Sequence, residues 1–131
     1  MKRAIFFLCL ILVADALIMH HDWYFRHLWI DIPFHILGGF FIAMLFSDYL
    51  KNHLRPNSYI KNMLIIVGTT VFIAVIWEFM EYSSSQLLIW PIYKYIYIGD
   101  LNDTIKDLFN GTLGGITYVL LWLSPLNRHK V

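Results

Sequence analysis

The sequence predicts an all-α, polytopic membrane protein with four transmembrane helices and an interfacial segment between the third and the fourth. Three observations carry that expectation. Hydrophobic residues make up 59% of the 131 residues and charged residues 15%, where a soluble domain has about 25% charged. The mean hydropathy is +0.60. Four apolar runs approach or reach the roughly 20 residues that span a bilayer, separated by short polar stretches. A soluble domain of this size would lack the polar residues to cover its surface, whereas in lipid the outside is apolar too.

The chain reads as one domain, residues 1–131. A first helix over 4–20 follows Lys2 and Arg3. This run also has the marks of a signal peptide, with a basic start, an apolar core and the cleavage-like triplet Ala14-Asp15-Ala16. Asp15 suits a signal core poorly, which favours a retained helix. The second helix covers 28–50, with Pro33 in its first turn, where the missing N–H costs nothing, and Asp31 as a candidate cap. Pro56-Asn57-Ser58 marks the turn into a third helix over 63–82, and Ser83-Ser84-Ser85 reads as a break after it. Residues 86–98, rich in Trp, Tyr and Ile, have the chemistry of an interfacial aromatic belt. Asn102 or Asp103 would cap a fourth helix over 104–123, and the tail is polar and basic.

Charge sets the orientation. Four spans place Lys2, Arg3, Lys51, Arg55, Lys61, Arg128 and Lys130 on one side, and Arg26 and Lys94 on the other. Basic residues mark the cytoplasmic face, so both termini are expected in the cytoplasm, with the chain in a cytoplasmic (inner) membrane. The net charge of +1 leaves no basic footprint for nucleic acid. The single cysteine, Cys9, lies in an apolar run; it has no partner for an internal disulfide, and no Cys/His zinc pattern is present.

This topology brings unusual residues to one depth. Asp31 and His35 start the second helix, Glu78 and Glu81 finish the third, and Asp103, Asp107 and Asn110 start the fourth. All lie near the extracytoplasmic boundary, with Asp15 in the outer half of the first helix. Spacings of three and four put each set on one helix face. Gly38 and Gly39 follow His35, and Gly111, Gly114 and Gly115 follow Asn110; small residues let membrane helices approach closely, so these faces are expected to point inward.

Charged groups within a membrane cost about 2.5–3.5 kcal/mol each on insertion scales. Carboxylates sharing a site also repel, so they need protons or a cation. Arg26, Lys106 and a protonated His35 would compensate in part. A divalent metal ion would do more, with Asp31, His35, Glu78 and Asp107 as its ligands. His35 or Glu78 would then serve as general base, while Glu81, Asp103 and Asn110 contact a ligand. Each residue has a plainer reading: caps, a core histidine, a solvated helix end. The crowd of His20, His21, Asp22 and His27 reads better as a solvated loop than as a metal site. The convergence of three helices at one depth favours a pocket.

The order Asp31-x-x-x-His35 with Gly38-Gly39, then Trp77-Glu78-x-x-Glu81, then Asp103-Thr104-x-x-Asp107-x-x-Asn110-Gly111-x-x-Gly114 resembles the VanZ-like and YjdF-like small membrane proteins. The likeness covers most of the chain from the second helix onward. Glu78 and Glu81 stand where VanZ-like proteins carry Glu-x-x-Gln, which is closer to the YjdF-like branch, so the link of VanZ to teicoplanin resistance is not carried over. The resemblance implies a bacterial or archaeal integral membrane protein and supports the pocket, but supplies no reaction. The leading expectation is a pocket that handles a lipid or polyprenyl-linked precursor headgroup, with the bilayer as the other partner. The alternative is a non-enzymatic scaffold whose polar cluster only holds the helices together. A permease is disfavoured because the polar groups stop near one leaflet and no internal repeat is evident.

Overall fold

The computed structural model describes residues 1–27, 29–55, 58–87 and 99–122. Among them the chain forms five helices: α1 (Lys2–His20), α2 (Trp23–Arg26), α3 (Asp31–Tyr49), α4 (Tyr59–Leu87) and α5 (Leu101–Trp122). Most of the aromatic segment expected at the interface, including Tyr93, Tyr95 and Tyr97, lies outside the described residues, as do the Pro56-Asn57 turn and the basic tail.

Among the described residues, three helices are long and apolar enough to cross a membrane: Lys2–His20, Asp31–Tyr49 and Tyr59–Ser84. The fourth expected span, α5, is long enough but not apolar enough. Its first half carries Asn102, Asp103, Lys106, Asp107 and Asn110. Lys106 and Asn102 are exposed, whereas Asp107 and Asn110 are buried against the other helices.

The distribution of polarity is inverted relative to a soluble protein. Phe6, Leu10 and Val13 of α1, Leu64, Phe72 and Phe79 of α4, and Phe109, Leu120 and Leu121 of α5 are exposed. Asp31, Ser47, Asn62, Thr70, Asp107 and Asn110 are the buried polar groups. An apolar exterior round a partly polar interior is what hydrocarbon solvent demands. Cys9 is on the exposed surface, consistent with its place in an apolar run.

α3 is the hub, packing against α1, α4 and α5. Its seam with α5 is built on glycine. A Cβ at Gly39 would sit 2.7 Å from the carbonyl carbon and 2.9 Å from the Cα of Gly111, and nearer still to the carbonyl oxygen. A Cβ at Gly114 would meet the backbone of Ile36 and, at 2.8 Å, the amide of Phe40. The backbones therefore touch, as the small-residue spacing led one to expect. Gly38 differs: a Cβ there would meet nothing within 4 Å, because this residue faces a cavity.

Away from that crossing, Ala43, Ile66, Tyr118 and Val119 form the buried core, with Phe40 packed edge-on to Tyr118 at 5.4 Å between ring centroids. The α3–α4 connection closes this end. The Arg55 amide donates to Asn62 Oδ1 at 3.0 Å, and Asn62 Nδ2 donates to the Arg55 carbonyl at 2.8 Å. Removing a partner strands a buried polar group, so Asn62→Ala should lower stability by about 1–3 kcal/mol, read as a depressed Tm in detergent. The Met1 ammonium pairs with Asp48, bringing the start of α1 beside the end of α3.

Three local expectations are corrected. α4 begins at Tyr59 and runs through Ser83-Ser84-Ser85 to Leu87; serine weakens a helix without breaking it. At about 1.5 Å per residue its 29 residues extend about 43 Å, past the hydrocarbon thickness of about 30 Å. The cap of α5 is neither Asn102 nor Asp103 but Asp100, whose carboxylate accepts the Asp103 amide at 3.0 Å. Asp31 is not the cap of α3: it is the first helical residue, one past the N-cap Ile30, and its carboxylate lies 3.3 Å from His35 Nε2.

Candidate functional site

The site is assembled from the first turns of α3 and α5 and the last turns of α4. Asp31 opens α3, and His35 follows one turn later on the same face. His35 Nε2 lies 3.3 Å from Asp31 Oδ1 and 3.7 Å from Asp107 Oδ1 across the α3–α5 seam. Asp107 is 5% exposed. The glycine contact one to two turns away brings the backbones close enough for these short side chains to meet.

One ligand atom from each of Asp31, His35 and Asp107 lies within 4.8 Å of the other two. At a metal–ligand distance of about 2.2 Å, neighbouring ligand atoms stand about 3.1–3.6 Å apart, close to the two observed separations. Two carboxylates and an imidazole suit a borderline or hard divalent cation. Without one, two adjacent carboxylates need a positive or shared proton between them.

Two cavities meet at this cluster. One, of ≈ 260 Å³, runs between α1, α3 and α4 and is mainly apolar, with Leu8, Ile11, Ile42 and Ala74 among its walls. The other, of ≈ 380 Å³, is lined by Glu78, Asp100, Asp103, Thr104 and Asp107. Asp31, His35 and Glu81 belong to both. Glu81 is held at this junction by the Trp77 indole, whose Nε1 donates to Oε1 at 2.8 Å.

Of the four expected metal ligands, Asp31, His35 and Asp107 converge, while Glu78 stands on the wall of the polar cavity with Thr104 as its hydrogen-bond partner. Asp103 and Glu81 share that cavity. Asn110 is buried one turn past Asp107 and lines neither cavity. Arg26 and Lys106, expected to offset the acids, are exposed, and neither forms an ion pair among the described residues. His20, His21, Asp22 and His27 are exposed as well.

Tyr24 was not foreseen. α2 folds back so that this residue is 2% exposed, packed with Met19 and Ile30 and lining the apolar cavity. Its hydroxyl donates to the Asp15 carboxylate. Burial, reinforced by that bond, pushes the phenol far above its usual range, so it stays a donor at any physiological pH. A tyrosine in a loop of His, Trp and Phe carries no periodic signal, and only the fold-back of α2 reveals its partner. Tyr24→Phe should cost about 1–3 kcal/mol by leaving Asp15 without its donor. The same loss in an Asp15→Asn background should be much smaller, a coupling that a double-mutant cycle of unfolding measurements reads directly.

An apolar exterior, membrane-length helices and an inward-facing cluster of carboxylates and imidazole define a multi-helix membrane protein. The chain belongs to the family described as predicted membrane protein (DUF2238), which matches residues 2–128. No curated protein and no solved structure matches it.

Proposed function

We propose that this protein is a four-span protein of a bacterial or archaeal cytoplasmic membrane, with both termini cytoplasmic, whose Asp31–His35–Asp107 cluster holds a divalent cation at the extracytoplasmic boundary. There it engages the polar headgroup of a lipid or polyprenyl-linked envelope precursor. The junction of the two cavities carries this reading: the cluster sits where an apolar chamber meets a polar one, as a headgroup site requires. In the catalytic version, Asp31, His35 and Asp107 would hold the cation, which would supply Lewis acidity toward the headgroup or a water, and Glu78, outside the triad, would take the proton as general base. The resemblance to the YjdF-like branch supports the set of residues and names no reaction.

α5 would form the fourth span, because Asp107 and Asn110 turn inward and Phe109, Leu113, Leu120 and Leu121 turn outward. The test is the metal content of detergent-purified protein by elemental mass spectrometry. A cation near one per chain supports the reading; none in protein prepared without chelators overturns it.

The scaffold reading has its own observation. His35 joins α3 to α5 directly through Asp107, so the cluster would lock the helices even without a ligand. In that case substitutions within it lower Tm and leave no separate functional defect.

A further inference from the structure

The apolar cavity lies beside a gap between α1 and α4. α1 packs on α3 and α2, and α4 packs on α3 and α5, but α1 and α4 make no comparable contact with each other. Leu8 and Leu12 of α1 nevertheless line the same chamber as Thr70 and Trp77 of α4. The two helices are thus opposite jambs of a gap. Leu12 is 49% exposed, so the wall on this side is continuous with the apolar exterior. Along α1 the chamber runs from Asp15 to Leu8, about 10 Å at 1.5 Å per residue. Its ≈ 260 Å³ exceeds the roughly 150 Å³ of an apolar cavity that takes up benzene.

The shape accommodates one hydrocarbon chain, and the charge at its polar end selects what the chain carries. Beyond the three residues of the candidate cation site, the polar cavity presents Glu78, Glu81, Asp100 and Asp103. Among the described residues, His35 is the one basic residue on its wall. A bare phosphate there would meet like charge, whereas an ammonium would meet complementary charge.

We propose that the protein binds an amphiphile with a cationic amine head, drawn laterally from the bilayer between α1 and α4. Its hydrocarbon chain lies in the Leu8–Thr70 chamber and its amine lies against the surplus carboxylates. This deepens the headgroup reading above and rests on it.

The test uses the full chain in phosphatidylcholine nanodiscs and two photoreactive probes, dodecylamine and dodecyl phosphate, each with a mid-chain diazirine. Gly38→Leu is the decisive variant, since a side chain at Gly38 enters open space instead of a helix contact and fills the chamber. The amine probe should label peptides from both α1 and α4, about tenfold more than the phosphate, and Gly38→Leu should reduce that labelling by about tenfold or more, as expected for the lost burial of several methylenes. Circular dichroism and monodispersity establish that the variant is folded. Labelling outside the chamber, or labelling insensitive to Gly38→Leu, would overturn the chain assignment. Equal or stronger labelling by the phosphate would overturn the amine and point to a cation-bridged phosphate. Metal content measured on the same samples separates the two proposals: a retained cation with no chamber labelling rejects this inference alone, and chamber labelling without a cation rejects the metal reading alone.

Discussion

Gly39→Ala should separate α3 from α5 and produce the largest loss of stability of any single change outside the site. The added methyl would fall under 3 Å from the Gly111 backbone, and backbone cannot rotate away as a side chain can. Overpacking a tight contact costs about 1–3 kcal/mol and occasionally more, and the upper end applies here because the obstacle is main chain at the most intimate crossing in the bundle. The effect should also reach the site, since His35 and Asp107 meet across the same seam. Gly114→Ala, against Ile36 and Phe40, should behave alike. Gly38→Ala, next in sequence to Gly39, has open space and should stay within a few tenths of a kcal/mol of wild type. Thermal unfolding in detergent of the three variants checks this; equal Tm values for Gly38→Ala and Gly39→Ala would show that the seam is looser than the structure has it.

Asp107→Ala should empty the candidate cation site. It removes one of three convergent ligands, and the remaining Asp31–His35 pair offers only one carboxylate and an imidazole on one helix turn. Even outer-sphere changes at metal sites cost about 10–100-fold in affinity, so loss of an inner ligand should take the bound cation from near stoichiometric to background. Asp107→Asn isolates charge from shape: it should retain the packing and still lose most of the metal. Glu78→Ala provides the contrast. Glu78 lies outside the triad, so its removal should leave the cation in place while abolishing any activity that uses it as base. Elemental analysis of the three variants beside wild type reads all of this. Parallel loss of metal in Glu78→Ala would bring that side chain back into the ligand set.

Much of this organisation is legible in the sequence. The hydrophobic runs locate three spanning helices because a bilayer imposes both length and composition. The three- and four-residue spacing of Asp31 with His35, and of Asp103, Asp107 and Asn110, states which side chains share a face, since helix geometry alone decides it. Ends are read less well. Ser83-Ser84-Ser85 looks like a stop, yet α4 continues to Leu87, because a local preference of a few tenths of a kcal/mol per serine yields to an established hydrogen-bond ladder. Asp100, which follows Gly99, looks like a turn residue and proves to be the cap, because its carboxylate accepts the Asp103 amide.

By itself the sequence determined that this is a helical membrane protein and which of its acids and histidine share a helix face, because the periodicity and the apolar solvent leave little choice. Only the tertiary structure decided which of them meet. Asp107 reaches His35, while Glu78 faces Thr104 and Asn110 lines neither cavity, because the rotation of α5 about its axis is set by Gly39, Gly111 and Gly114 in contact. It likewise decided that Tyr24 bonds Asp15 and that α1 stands off from α4 to leave a chamber. Such choices depend on pairwise packing between helices distant in sequence, which no pattern within one helix encodes.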